Sequence, residues 1–122
     1  MIAGLALAML ITVYVPLAGG INGGPVASNG VTLRTGHAAC GPAWRAGTVF
    51  EIENADMLPD LVVCIDRGPA VGNDDLDVAL VSPDVAGDLR RAFGWGRRRR
   101  QVTVWSSMAH WRRARSEREK LR

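Results

Sequence analysis

The sequence predicts a mainly β protein: a small six-stranded barrel with one short inserted helix and a basic helical tail. Three observations carry that expectation. Fourteen glycines and six prolines in 122 residues, most of them in the first three quarters, favour short elements joined by tight turns. Six brief apolar runs, several β-branched or aromatic, are bounded by those turn residues. One helical start signal and one arginine-rich segment complete the pattern.

Taken in order, residues 2–17 are uncharged and apolar. The run lacks a preceding basic residue and falls short of the roughly 20 residues a spanning helix needs. Ala3 to Leu10 is rich in Ala and Leu, whereas Ile11-Thr12-Val13-Tyr14-Val15 has strand chemistry. Residues 1–10 are therefore read as the remnant of an export signal and 11–15 as the first strand. A single short anchor over 2–17 is the competing reading. The glycine-rich stretch 19–25 is a loop.

Strands are expected at 31–33, 48–52, 61–65, 76–81 and 101–105. Leu61-Val62-Val63-Cys64-Ile65 is continuously apolar, as in a strand covered on both sides. Ser82-Pro83-Asp84 is a helix start, with Ser82 as cap, and Gly94 ends the helical spacing of Val85, Leu89 and Phe93. Residues 11–105 thus form the barrel and residues 106–122 a polar, arginine-rich helix.

Charge divides the chain. Residues 1–89 hold three arginines against ten acids, and residues 90–122 hold twelve basic residues against two acids. The basic end is either a solvated tail or a contact for an anionic polymer, nucleic acid or membrane. Cys40 and Cys64 do not form a CxxC pair and have no histidine at zinc-site spacing, so no metal is expected. They form one disulfide if the chain is exported and remain two buried thiols if it is not. The export reading of the N-terminus favours the disulfide.

Asp77 draws chemical interest because it interrupts the apolar run Leu76-Asp77-Val78-Ala79-Leu80, where a carboxylate is costly unless paired or used. Asp66 ends an apolar strand at the turn Asp66-Arg67-Gly68-Pro69, and Asp84 is explained by helix capping alone. Trp44, Trp95 and Trp105 offer flat faces to sugar rings, although Trp95 and Trp105 are expected in the core. Ser106, Ser107 and His110 have no acid in register for a serine hydrolase, and no phosphate-binding glycine loop is present.

Taken together, Tyr14…Gly19-Gly20-Ile21-Asn22, Gly36-His37-Ala38-Ala39-Cys40, Gly47-Thr48-Val49-Phe50, Cys64-Ile65-Asp66-Arg67-Gly68-Pro69, Leu76-Asp77-Val78 and Gly94-Trp95-Gly96-Arg97-Arg98 resemble the 3D (three-aspartate) domain. That family is a double-psi β-barrel, found also in membrane-bound lytic transglycosylase A, in rare lipoprotein A and, more distantly, in expansins. The resemblance covers roughly residues 12–105. It implies a cell-envelope or secreted monomer that acts on peptidoglycan glycan strands without a cofactor.

By the resemblance, Asp77 is the catalytic acid/base, Asp66 its neighbour and Asp84 the third family aspartate. From the residues themselves, His37, Trp44, Arg67 and Arg97 are candidates for the substrate groove, and Arg97 to Arg100 are either a basic rim for peptide carboxylates or solvated charge. The chain departs from the family in having Cys40 where many members carry aspartate. It also has Arg67-Gly68-Pro69 in place of a Gly-Gly step. Two other functions fit the sequence: a non-catalytic, expansin-like peptidoglycan-binding module, and an accessory protein whose basic tail binds nucleic acid or acidic lipid.

Overall fold

The computed structural model describes residues 3–19 and 24–121. Parts of the expected signal remnant and of the glycine-rich loop lie outside the described residues. The strands are β1 (Leu5–Tyr14), β2 (His37–Cys40), β3 (Val49–Ile52), β4 (Leu61–Asp66), β5 (Asp75–Ala79) and β6 (Arg98–Trp105). They close into a barrel in the order β1-β5-β2-β4-β3-β6. Two of the six pairs, β1–β5 and β2–β4, are parallel, and the other four are antiparallel.

Alternation fills the barrel. Met9 and Ile11 of β1, Leu76 and Val78 of β5, and Val102 and Val104 of β6 all point into one buried core. Residues between them face outward. Cys40 and Cys64 are both fully inside, with Cα atoms 5.7 Å apart, and their disulfide ties β2 to its parallel neighbour β4.

Several boundaries differ from the expectation. The first strand starts at Leu5, not at residue 11, so residues 5–10 form part of the barrel wall. They pair with β6 from Leu5↔Val104 to Leu10↔Arg99. Ala and Leu favour helix weakly, and a ladder of this length overrides that preference. Correspondingly β6 begins at Arg98, three residues ahead of the expected 101.

Residues 31–33 form no barrel strand. Thr32 makes an isolated bridge to Val26 in a tight hairpin, closed by Ala27 N–H to Val31 O at 2.7 Å and turned at Gly30 (φ 87°). The sixth strand is supplied instead by β2.

The inserted helix α1 (Val85–Trp95) is capped by Asp84, not Ser82. The Asp84 carboxylate accepts from Gly87 N–H at 2.9 Å. A Cβ on Gly87 would meet that carboxylate at 2.0 Å, so a side chain there would have to displace the capping carboxylate. The helix runs past Gly94 to Trp95 and stops at Gly96 (φ 64°). Trp95 is buried at one end of the barrel, where its indole N–H donates to Ile11 O at 2.9 Å.

The arginine-rich segment is a docked helix. Helix α2 (Met108–Lys120) is capped by Ser107 and buries Ala114 against Val49 and Trp105, with Met108 and Trp111 packed alongside. Among the described residues no helix is long and apolar enough to cross a membrane.

Candidate functional site

The barrel register brings Asp66 and Asp77 together. Ala39 of β2 pairs with Asp66 on one side and with Asp77 on the other, and Asp77 pairs with Thr12 of β1. One row across four strands therefore reads Asp66, Ala39, Asp77, Thr12. Asp77 lies between Leu76 and Val78, both in the core, so its carboxylate stands on the outer face of the wall. The small side chain of Ala39, itself buried, is all that stands between the two acids in the row.

Each carboxylate has its own support. Asp77 Oδ1 accepts from the Thr12 hydroxyl at 2.8 Å. Asp66 accepts three hydrogen bonds: from the Tyr14 hydroxyl at 3.1 Å, and from the Ser28 and Arg67 amides, each at 2.9 Å. Ser28 arrives on the 26–32 hairpin, which explains why that segment is spent on the site and not on the barrel.

These surroundings raise the proton affinity of Asp77. Burial pushes the Asp77 carboxyl above its ordinary range; the Thr12 hydrogen bond pulls the other way, and the charge of Asp66 adds to the rise. Burial, then the charge of Asp66 and the hydrogen bond to it, with a further push from Asp77, raise the Tyr14 phenol well above its ordinary range. Tyr14 thus remains a protonated donor to Asp66 throughout the physiological range. The result is one carboxyl that keeps its proton more easily, next to another held by three donors.

The remaining sequence-predicted residues fall in different places. His37 lies two residues before Ala39 on β2, and its Nδ1 accepts from the Arg34 amide at 3.0 Å. Burial and the Arg34 charge push its imidazole below the ordinary range. The Arg67 guanidinium donates to the carbonyls of Cys40, Gly41 and Trp44, so it clamps the loop after β2. In that loop Gly41 approaches Gly72 so closely that a Cβ would meet backbone at 2.5 Å. Arg67 also lines a cleft of about 720 Å³ with Pro69, Val71 and Asp75.

Trp44 is half-buried, edge-on to Phe50 at 5.7 Å, with its indole N–H on Asn73 O at 2.8 Å. It lines a second cleft with Leu5, Val104 and His110, which neither aspartate reaches. Arg97 is exposed in the turn between α1 and β6. Asp84 is the helix cap already described. Among the described residues no group of three or more His, Cys, Asp or Glu side chains is placed to hold a metal.

Sequence reading missed Thr12 and Ser28 and assigned Tyr14 no role. Thr12 and Tyr14 were visible as the polar alternates of a strand whose other residues are apolar. Ser28 acts through its amide, which no side-chain pattern reveals.

The fold and this row define a class: a small closed β-barrel with a supported aspartate pair on its outer wall. No family model matches the sequence, and no curated protein does. Among solved structures the chain is similar to MltA from E. coli, at 22% identity and a TM-score of 0.47. That match covers 66% of this chain and 27% of the other. It is also similar to a variant of the E. coli lytic transglycosylase MltA in an apo form, at 21% identity and a TM-score of 0.48. There the coverage is 65% of this chain and 26% of the other, so the chain spans about a quarter of the structures it matches.

Proposed function

We propose that this barrel acts on peptidoglycan as a lytic transglycosylase of the cell envelope, with Asp77 as its single acid/base. The observation that carries the reading is the Asp66–Ala39–Asp77–Thr12 row, in which burial raises the proton affinity of one outward-facing carboxyl. The sequence resemblance to the three-aspartate domain points to the same residue.

In this reading Asp77 donates its proton to the glycosidic oxygen between a muramic acid and a glucosamine unit as the C1–O bond breaks. The resulting carboxylate takes the proton of the muramic 6-hydroxyl while O6 bonds to C1, closing a 1,6-anhydro ring. Asp77 ends protonated, no water is consumed and no cofactor is needed. One acid/base suffices, unlike the paired carboxylates of hydrolases. Thr12 fixes the Asp77 rotamer, and Asp66 tunes the proton affinity. Of the groove residues, His37 and Arg97 border the row, Arg67 holds its loop, and Trp44 offers a ring face further along the strand of sugars.

The test is muropeptide analysis of purified wall incubated with wild type and with Asp77→Asn, which keeps shape but cannot transfer the proton. Release of anhydro-muropeptides should fall by about 10²–10⁴-fold while wall retention persists. Asp66→Asn should reduce turnover less and move its pH optimum. Wild-type release matched by Asp77→Asn removes Asp77 from the mechanism. Retention on wall with no release at any pH makes the barrel a binding module of the expansin kind.

A further inference from the structure

The four consecutive arginines, Arg97 to Arg100, read in the sequence as one basic rim, but the barrel divides them by strand alternation. Arg98 and Arg100 turn towards the barrel end. Their guanidinium carbons stack over the Trp95 ring at 4.8 and 5.2 Å. Arg98 donates to the carbonyls of Trp95 and Gly94, Arg100 to that of Asn54, and both face Asp56 at 3.8 and 3.6 Å. These two are structural.

Arg99 faces the other way, and Arg97 stands just ahead of the strand. Val102 and Val104 point into the core, so Arg99 stands on the outer face, as Asp77 does. Arg99 pairs with Leu10, and Leu10 pairs with Asp75, which puts Arg99 two strands across from β5 on the face that carries the aspartate row. From strand spacing and rise, its Cα lies on the order of 12 Å from that of Asp77. Arg97 comes one residue before the first β6 pair, Ile11↔Arg98, and so lies at the end of the ladder level with Thr12. Both side chains are exposed and neither has a polar or ionic partner among the described residues.

We propose that Arg97 and Arg99 form a carboxylate-binding subsite that positions an acidic polymer across the barrel face beside Asp77. The inference rests on the peptidoglycan reading and deepens it: the groups bound are the free carboxylates of the stem peptides. Among the described residues neither arginine forms an ion pair with Asp77. They suit a contact one unit away from the scissile bond. A planar guanidinium matches a carboxylate in two parallel hydrogen bonds, and two cations on one face select an anionic polymer over a neutral one.

Purified insoluble peptidoglycan, native or with its peptide carboxylates amidated, is incubated with the full chain and pelleted. The proteins compared are wild type, Arg97→Gln/Arg99→Gln and Arg98→Gln/Arg100→Gln, with near-UV circular dichroism to confirm folding. The Arg97/Arg99 double variant should bind native wall about three- to tenfold more weakly. Amidation should weaken wild type by a similar factor and leave that double variant unchanged, since the two changes remove one interaction. The Arg98/Arg100 variant, where folded, should still respond to amidation as wild type does.

Native binding by the Arg97/Arg99 variant equal to wild type, or equal sensitivity of both to amidation, overturns the subsite while leaving the peptidoglycan reading in place. Absence of wild-type retention on either form overturns that reading and the subsite together.

Discussion

Asp77 is a carboxylate that folding makes costly to ionise, and that cost is measurable apart from catalysis. Its folded-state proton affinity is raised by burial, opposed by Thr12 and reinforced by Asp66. A group whose folded value lies above its unfolded one contributes stability that is complete below the unfolded value. That contribution is lost as pH rises through the folded value. Wild type therefore gives up stability on going from acid to neutral pH at this position, whereas Asp77→Asn, which never ionises, does not. Asp77→Asn should unfold at a higher urea concentration than wild type near pH 7, and the gap should close below about pH 4, where Asp77 is protonated in both states. Urea midpoints across pH 3–8 are the measurement, and a variant less stable than wild type at pH 7 would contradict the assignment. The stabilisation fits a functional site held at some expense to the fold.

Helix α1 illustrates how one residue sets an element. Asp84 bonds the Gly87 amide, and Ser82, expected as the cap, instead accepts from the Asp84 amide and donates to the buried Asp88, which Arg91 also contacts. Asp84→Ala should cost roughly 0.5–2 kcal/mol by thermal or urea unfolding, and Asp84→Asn much less, because asparagine also caps. Wall activity should survive both at temperatures where the protein is folded. Equal losses for Ala and Asn would mean that charge, not the hydrogen bond, holds this terminus. Helix α2 is held differently, by burial of Ala114 and by Arg115 and Arg118 over the rings of Trp111 and Trp105 at 5.0 and 5.8 Å. Its remaining arginines are solvated, and the helix covers the outward-facing Trp105.

For the whole molecule, closure depends on β1. It joins β5 on one side and β6 on the other, and seven of its residues, Leu5 to Ile11, pair with β6. A chain beginning at Thr12 would lose that entire seam and leave β6 with an open edge. It should lose near-UV circular dichroism and aggregate, while a chain beginning at Ala3 should fold. A native-like spectrum from the Thr12 start would mean that the barrel closes without β1. The Cys40–Cys64 bond acts at the same scale. By closing a 24-residue separation it constrains the unfolded chain, worth about 3–4 kcal/mol in the loop-entropy view.

Local chemistry determined the elements that could be read from the amino-acid order: turn residues between short apolar runs, the continuous apolar β4, the start of α1 and the anomaly of Asp77 in an apolar strand. Each depends on neighbours within a few residues, where propensity and periodicity act. Tertiary structure alone decided that residues 5–10 are wall, because Ala and Leu become strand only when β6 lies beside them. It also decided that the 26–32 segment serves Asp66, that Arg67 clamps a loop, and that Arg97 and Arg99 part company with Arg98 and Arg100. The aspartate pair belongs to this second group. Eleven positions separate Asp66 from Asp77 in the chain, and only the insertion of β2 between β4 and β5, with the register shift that pairs Ala39 with Asp66, sets Ala39 between them. Register between distant strands is fixed by closing the barrel around its core, and no local pattern encodes it.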